Sequence, residues 1–181
     1  MNHYEITELQ RNIANMIRIG TIAEADYANA KVRVQIGELL TSWLDFISFR
    51  AALVTIWCPP EIGEQVLVVS PGGDLSQGVV MPALYQQTFP ASAATPTITK
   101  MTFADGAKLE YDSAAHHLQA ILPGGGTITL VADGGITITG DITVTGQIVS
   151  TGDQVAGGIS QINHVHGGVE PGGGSTSVPN N

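Results

Sequence analysis

The chain has 181 residues, a mass of 18.9 kDa and a formal net charge of −9, with 43% hydrophobic and 13% charged residues. This composition is typical of a folded protein, and its acidity argues against a nucleic-acid partner, because phosphate binding needs clustered Lys and Arg. No segment approaches the roughly twenty apolar residues of a membrane helix. The single cysteine, Cys58, excludes an intrachain disulfide, and we expect it to be a small buried side chain.

Residue types are unevenly distributed along the chain. All ten aromatic residues lie at or before Tyr111, and all seven Lys and Arg lie at or before Lys108. By contrast, 15 of the 22 glycines follow residue 120. The first half therefore has the composition of a globular domain, and the second half that of a fibre.

The first half predicts a helix followed by a small barrel. Apolar residues at helical spacing between positions 6 and 17 predict an amphipathic helix over residues 1–17. Five short strands are then predicted between turn signals, in the runs RIGTIAEAD, AKVRVQIGEL, ALVTIWCPP, QVLVV and SQGVVMPALYQ. Five short strands indicate a closed barrel over residues 18–86, with the OB type as the leading candidate. The Ala-, Ser-, Thr- and Pro-rich residues 87–97 indicate a linker.

A repeat of six residues dominates the second half. The segment KMTFADGAKLEYD first predicts a hairpin with Asp105 and Gly106 at its turn. The repeat follows, with glycine at positions 134, 140, 146, 152 and 158 and isoleucine at 136, 142 and 148. This regularity predicts short β-branched strands with glycine at the corners.

One chain has too few hexads to close a core by itself. Four hexads make little more than one coil of a single-chain left-handed β-helix, as found in hexapeptide acyltransferases, and would leave open edges. Three intertwined chains would pair every edge and enclose the Ile and Val side chains. We therefore predict a homotrimer with a triple-stranded β-helix shaft over residues 98–158 and an apex over residues 159–181.

Two histidines separated by one valine lie near the end of the chain, in INHVHGG. On an extended strand, His164 and His166 would face the same side. In a monomer they would be two solvated side chains and a weak motif. Around a threefold axis, three chains would bring six neutral imidazole nitrogens to one point, which suits an octahedral iron, nickel or cobalt ion. Six protein ligands leave no open position, so this metal would be structural.

With helix, small barrel, hexad repeat and His-x-His tip in this order, nearly the whole chain resembles the baseplate assembly protein V family. Members of this family are the central spikes of contractile-tailed bacteriophages of the P2 and Mu type. The most specific segments are NMIRIGTIAEAD, KVRVQIGE with TSWL after it, WCPPEIGEQVLVVSPGGDLSQGVVMPALY, FADGAKLEYD and HVHGG.

The resemblance implies an all-β homotrimer with an N-terminal OB-type barrel, an intertwined triple-stranded β-helix and a metal-bound needle tip. In such spikes the tip histidines of three chains bind one buried iron ion (Fe²⁺), which corresponds here to His164 and His166. Calcium and chloride ions are also associated with such tips, but no residue here marks a site for them. The OB end would attach to tail hub and baseplate proteins. The tip would pass mechanically and transiently through the host outer membrane during sheath contraction. The expected location is the virion tail baseplate, assembled in the bacterial cytoplasm.

Other functions find less support in the sequence. PGGD and PGGGTITL lack the Gly-Lys-Ser/Thr of a phosphate-binding loop, and Asp-Gly pairs are typical of turns, so no enzyme activity is predicted. Residues 1–58 hold five basic and six acidic residues, so we expect Trp43 and Trp57 in the core or between chains rather than stacked on bases. The main alternative is a trimeric tail fibre or adhesin that binds a host surface receptor. A hexapeptide acyltransferase is the third candidate function.

Overall fold

The structure, a computed structural model, describes residues 3–165, 167, 168 and 172, and the chain divides into two units, residues 1–128 and 129–181. Across those described residues, no helix has the length and apolar character required to cross a membrane. The elements of the first unit are α1 (His3–Asn15), β1 (Ile17–Asp26), β2 (Lys31–Ile36), β3 (Leu39–Leu40), β4 (Leu44–Phe46), β5 (Gln65–Val69), β6 (Val79–Leu84), β7 (Ile98–Thr102), β8 (Lys108–Asp112) and β9 (His117–Ile121). Those of the second unit are β10 (Val155–Ala156) and β11 (Ile159–Ser160).

Five strands of the first unit close into a ring of the OB type. The long strand β1 pairs with β5 through Ile17–Thr21 and with β2 through Thr21–Asp26, both antiparallel. The ring runs β1-β5-β6-β4-β2 and returns to β1, with β4 and β6 parallel, while β3 adds a short pairing beside β2. The predicted OB-type barrel is confirmed.

A glycine lets β1 cross closely over β2. A Cβ atom at Gly20 would lie 2.7 Å from the backbone oxygen of Gln35 and would also collide with the side chain of Val34. Only a residue without a side chain fits at this point, where β1 passes from one partner strand to the other.

Apolar side chains that alternate with polar ones along the strands fill the barrel. The buried residues Val32, Val34 and Ile36 alternate with half-buried polar residues along β2, as the sequence predicts. The same pattern places Val66 and Val68 of β5 inside. The buried core cluster consists of Ile22, Val32, Val34, Ile36, Leu44, Val66, Val68 and Val80.

One predicted strand is wrong. The segment ALVTIWCPP forms no strand and takes part only in an isolated bridge between Ala51 and Thr55. The short strand β4 occupies the place between β2 and β6 instead. Cys58 is exposed rather than buried, because it belongs to this irregular segment and not to a core strand.

The N-terminal helix and the hairpin both form where the sequence predicts them. Helix α1 ends at Asn15, two residues short of the predicted limit, because Ile17 is already the first residue of β1. The hairpin joins β7 and β8, with Gly106 at φ 88° and the Asp105 carboxylate accepting a 3.0 Å hydrogen bond from the Ala107 N–H. The positive φ explains why glycine occupies this turn.

Strands β7, β8 and β9 form a three-stranded antiparallel sheet with two unlike faces. On one face Lys100, Glu110 and Gln119 lie side by side across the three strands. The Glu110 carboxylate lies 3.5 Å from the Lys100 ammonium and accepts a 2.8 Å hydrogen bond from Gln119. The other face is apolar and exposed; it carries Met101, Leu109, Tyr111 and Leu118.

The barrel core gives a direct test of the fold. Replacing Ile22, which is buried in that core, with Ala should lower the free energy of unfolding by about 2–5 kcal/mol, whereas Val should cost about 0.5–1.5 kcal/mol. Urea unfolding of the two variants beside the parent protein measures both values. Equal effects of Ala and Val would contradict the placement of Ile22 in a close-packed core.

Candidate functional site: the hexad segment and the histidine tip

The first two hexads carry apolar side chains at their third and fifth positions, and the third hexad carries one at its third position. Residues two apart on an extended segment face the same side, so these positions form one row. The side chains of this apolar row are between 47% and 65% exposed, and they are Ile136, Ile138, Ile142, Val144 and Ile148. The fourth and sixth positions of the first two hexads carry threonine, at Thr137, Thr139, Thr143 and Thr145. The segment is therefore two-faced, with its apolar face uncovered in a single chain.

Glycine suits the corners of the hexad repeat where φ is positive. Gly140 and Gly146 have φ values of 127° and 138°, a backbone conformation that residues with a side chain rarely adopt. Within the described part of the second unit, the strands are β10 and β11, and residues 129–154 form none. The predicted triple-stranded β-helix, which needs strands from other chains, stays a prediction.

The apolar row ends where the tip begins. After Ile148, the next two positions of the same register carry Ser150 and Gln154. The Gln154 amide donates a 3.1 Å hydrogen bond to the Ser150 hydroxyl, which in turn donates to the backbone oxygen of Gly152 at 2.9 Å. Polar side chains thus take over this register, while apolar side chains such as Val155 and Ile159 follow at other positions.

A tight hairpin and one carboxylate shape the tip. The turn between β10 and β11 has positive φ at both central residues, Gly157 (60°) and Gly158 (84°), as a two-residue hairpin of type I′ requires. The Asp153 carboxylate accepts a 3.1 Å hydrogen bond from the Ile162 N–H. A hydrogen bond from the Ser160 hydroxyl, helped by backbone N–H groups, holds the pKa of Asp153 below its usual value. Asp153 therefore ties the chain beyond the hairpin back to its start.

The hydrogen bonds of His164 determine which ring nitrogen can bind a metal. Its Nδ1 lies 3.0 Å from the backbone oxygen of Ser160 and 3.2 Å from that of Gln161. Carbonyl oxygens only accept, so Nδ1 carries the proton and the lone pair lies on Nε2. A metal-binding histidine commonly has this arrangement, with its other nitrogen bonded to a carbonyl group. The donor chemistry of His164 therefore fits a metal ligand.

The second predicted ligand, His166, lies outside the described residues. Among the residues that the structure does describe, no group of three or more His, Cys, Asp or Glu side chains is arranged to hold a metal. The pairing of His164 with His166 in one metal site stays a prediction.

The aromatic side chains of the barrel differ from their expected places. Trp43 and Trp57 are 43% and 61% exposed and lie outside the buried core. Arg33 stacks over the Trp43 ring at 5.8 Å, and the Trp57 ring lies 6.1 Å from that of Phe46. A core position for the two tryptophans is wrong, and a position between chains stays a prediction.

The barrel also carries an apolar groove of about 560 Å³, which the sequence does not predict. Phe49, Met81, Tyr85 and Phe89 line it together with Cys58. The only signal in the sequence is that Phe49 and Phe89 lie outside every predicted strand, where large apolar residues have no core to enter.

Comparison with known proteins agrees with this arrangement. Residues 18–85 match the type VI secretion system/phage-baseplate injector OB domain, and residues 158–180 match the GpV apex motif. The chain is also 36% identical over 134 residues to the spike protein of Escherichia phage P2. That similarity covers 74% of this chain and 63% of the P2 protein, so it spans less than two thirds of that relative.

The chain therefore resembles phage baseplate proteins both in its OB-type barrel and in its apex motif. The matched domain and motif are those of the phage baseplate gpV family, and the P2 relative is a spike protein.

The hydrogen bonds around Asp153 give a test of the tip geometry. Replacing Asp153 with Ala removes the acceptor of the Ile162 N–H, so that amide should exchange its hydrogen roughly fivefold faster. Hydrogen-exchange mass spectrometry or NMR measures this rate. Asp141→Ala, at an exposed carboxylate of the hexad segment, is the matched control and should leave Ile162 unchanged. An unaltered rate in Asp153→Ala would show that the carboxylate does not hold this turn.

Proposed function

We propose that three copies of this chain form the central spike of a contractile phage tail, with the hexad segments intertwined as its shaft. The observation that carries this proposal is the exposed apolar row. Five Ile and Val side chains per chain are about half exposed or more, on a segment that has no strand partner of its own. Burying an Ile or Val side chain fully contributes about 1.5–3 kcal/mol, so three copies have a strong drive to cover these rows together.

A threefold assembly would also satisfy the backbone hydrogen-bonding groups of the hexad segment. An isolated extended segment leaves its N–H and C=O groups to water and presents two open edges. Three copies that wind around one axis pair each edge with a neighbouring chain and place the third and fifth hexad positions inside. The threonines then face outward, as expected for a solvated surface.

The three-stranded sheet of β7, β8 and β9 supports the same arrangement. Its polar face is satisfied within one chain through Lys100, Glu110 and Gln119. Its opposite face exposes four large apolar side chains. Three such sheets around the axis would bury these faces and leave the polar faces toward water, which makes the sheet the upper part of the shaft.

A metal ion would hold the tip together. His164 and His166 of three chains would supply six imidazole nitrogens to one Fe²⁺ ion, with His164 binding through Nε2. Bound there, the metal would supply cross-links between the three chains. Calcium and chloride ions remain further candidates for the tip, and no described residue marks their sites.

This composition fits a needle that acts mechanically. No Lys or Arg follows Lys108 and no aromatic residue follows Tyr111, so the far half offers a narrow shaft of small and β-branched side chains. The barrel end would bind the tail hub and baseplate proteins, and sheath contraction would push the tip transiently through the host outer membrane. A receptor-binding fibre would instead need an exposed recognition surface at its end, of the kind that aromatic side chains usually provide. Nucleic acid is not a proposed partner.

The two faces of the hexad segment give the first test of the shaft. Ile142→Asp places three carboxylates inside the proposed trimer and should abolish assembly, because buried unpaired charges are strongly unfavourable. Thr143→Asp, one residue away on the other face, is the matched control and should assemble normally. Analytical ultracentrifugation measures the chain count. If both variants assembled alike, the hexad segment would not be an intertwined shaft.

The second test concerns the metal. Native mass spectrometry of untagged protein, purified without nickel columns or chelators, should show three chains with one ion of iron's mass. His164→Ala combined with His166→Ala should lose the ion and keep the trimer, since the shaft and the barrel hold the chains together. His116→Ala with His117→Ala, at exposed histidines of the first unit, is the control and should retain it. Full metal content in the tip variant would exclude these ligands, and a monomeric parent protein would overturn the spike.

A further inference from the structure

Helix α1 turns its polar side toward the barrel. Its half-buried residues are Glu8, Asn12 and Asn15, one turn apart; Glu8 pairs with Arg11, and the helix contacts the turn Pro71–Gly73 at Asn12. A Cβ atom at Gly73 would collide with the backbone of Asn12, so the helix rests directly on this glycine. Arg18 of β1 donates a 3.3 Å hydrogen bond to the Asn15 side chain and fixes the end of the helix. The contact between helix and barrel is therefore polar and close.

The apolar side of α1 faces away from this contact. Ile6, Leu9 and Ile13 of α1 and Met16 directly after it, together the apolar stripe, are between 41% and 59% exposed, and no residue of α1 is buried. At 3.6 residues per turn the stripe lies roughly 110° around the helix from the polar contact. An amphipathic helix on a globular domain normally buries its apolar side. This helix does the reverse, which leaves the stripe open to a partner while the barrel holds the polar side.

The spacing of the stripe is that of a helix-to-helix seam. The intervals of three, four and three residues place isoleucine at both a positions and Leu9 and Met16 at the d positions of a heptad repeat. The stripe itself carries no charge; the neutral Gln10 flanks it at an e position and Glu5 at a g position. Ile17 and Ile19 of β1, which follow the stripe in the chain, are 64% and 56% exposed.

We infer that the apolar stripe is covered by the same stripe of two other copies, so that three α1 helices form a short parallel bundle on the threefold axis at the barrel end. This inference rests on the proposed trimer, which brings three copies of the stripe to the same end of the assembly. Neither the barrel match, which begins at residue 18, nor the apex match includes this helix.

Tethering makes so short a bundle stable. Two heptads are marginal for free peptides, because helix formation and association both cost entropy. In a trimer already joined by its shaft, the helices meet at an effective concentration of about millimolar or more. The stripe with Ile17 and Ile19 offers several hundred Å² of apolar surface per chain, on the order of the roughly 800 Å² that each partner buries in a standard interface. A self-complementary uncharged seam fits this surface without any second protein.

Cross-linking of single cysteines in the full-length protein tests the bundle. In a Cys58→Ser background, Ile13→Cys would place three thiols around the axis, within the roughly 7 Å between Cα atoms that a disulfide tolerates. Mild oxidation should then join two chains in most trimers, as seen on denaturing gels without reductant. Ala14→Cys is the matched control, one residue along the helix and off the stripe. It should give at least about tenfold less covalent dimer, since its thiols point away from the axis.

These measurements distinguish failure of the helix bundle from failure of the proposed trimer. Native mass spectrometry of the same samples reports whether the trimer is present. A trimer in which Ile13→Cys and Leu9→Cys both fail to cross-link, or cross-link no better than Ala14→Cys, would overturn the bundle and leave the spike standing. A monomer would overturn the proposed trimer. If Ile13→Cys does not fold, Leu9→Cys at the neighbouring seam position takes its place.

Discussion

An extended segment can bury its apolar face only against another segment, and this constraint governs the second half of the chain. The hexads place Ile and Val on one side and Thr on the other, with glycine at the corners. In the described part of the chain the apolar row is about half exposed or more, and residues 129–154 form no strand. A spike of three copies, as proposed, supplies both the missing core and the missing hydrogen bonds. The same repeat would be a liability in a monomer.

The barrel, by contrast, buries its apolar side chains and pairs its strand edges within one chain. Strand β1 is long enough to pair with β5 at its start and with β2 at its end, and the close crossing at Gly20 lets it turn between them. The ring leaves no long open edge, and eight apolar side chains fill it. A closed domain and an unclosed segment thus lie in one polypeptide. The first buries its core within one chain, while the second leaves its apolar row exposed.

The described part of the tip is held by polar contacts, and its apolar side chains Val155, Ile159 and Ile162 are exposed. Asp153 and Ser160 fix the short hairpin, and the carbonyl groups of Ser160 and Gln161 determine the tautomer of His164. In the proposed spike, the metal adds cross-links between chains to the hydrogen bonds within each chain. Near the N-terminus, α1 is held by polar contacts and leaves its apolar side exposed.

Local pattern was enough to determine several elements from the sequence. The helix, the alternation of β2, the turn at Asp105 and Gly106 and the six-residue repeat all follow from spacing that acts over a few residues. Tertiary structure alone decided that ALVTIWCPP is irregular, that Cys58 and both tryptophans are exposed, and that α1 lies with its polar side on the barrel. These features depend on which strands close the ring and on what space remains beside it, and contacts between residues far apart in the chain set both.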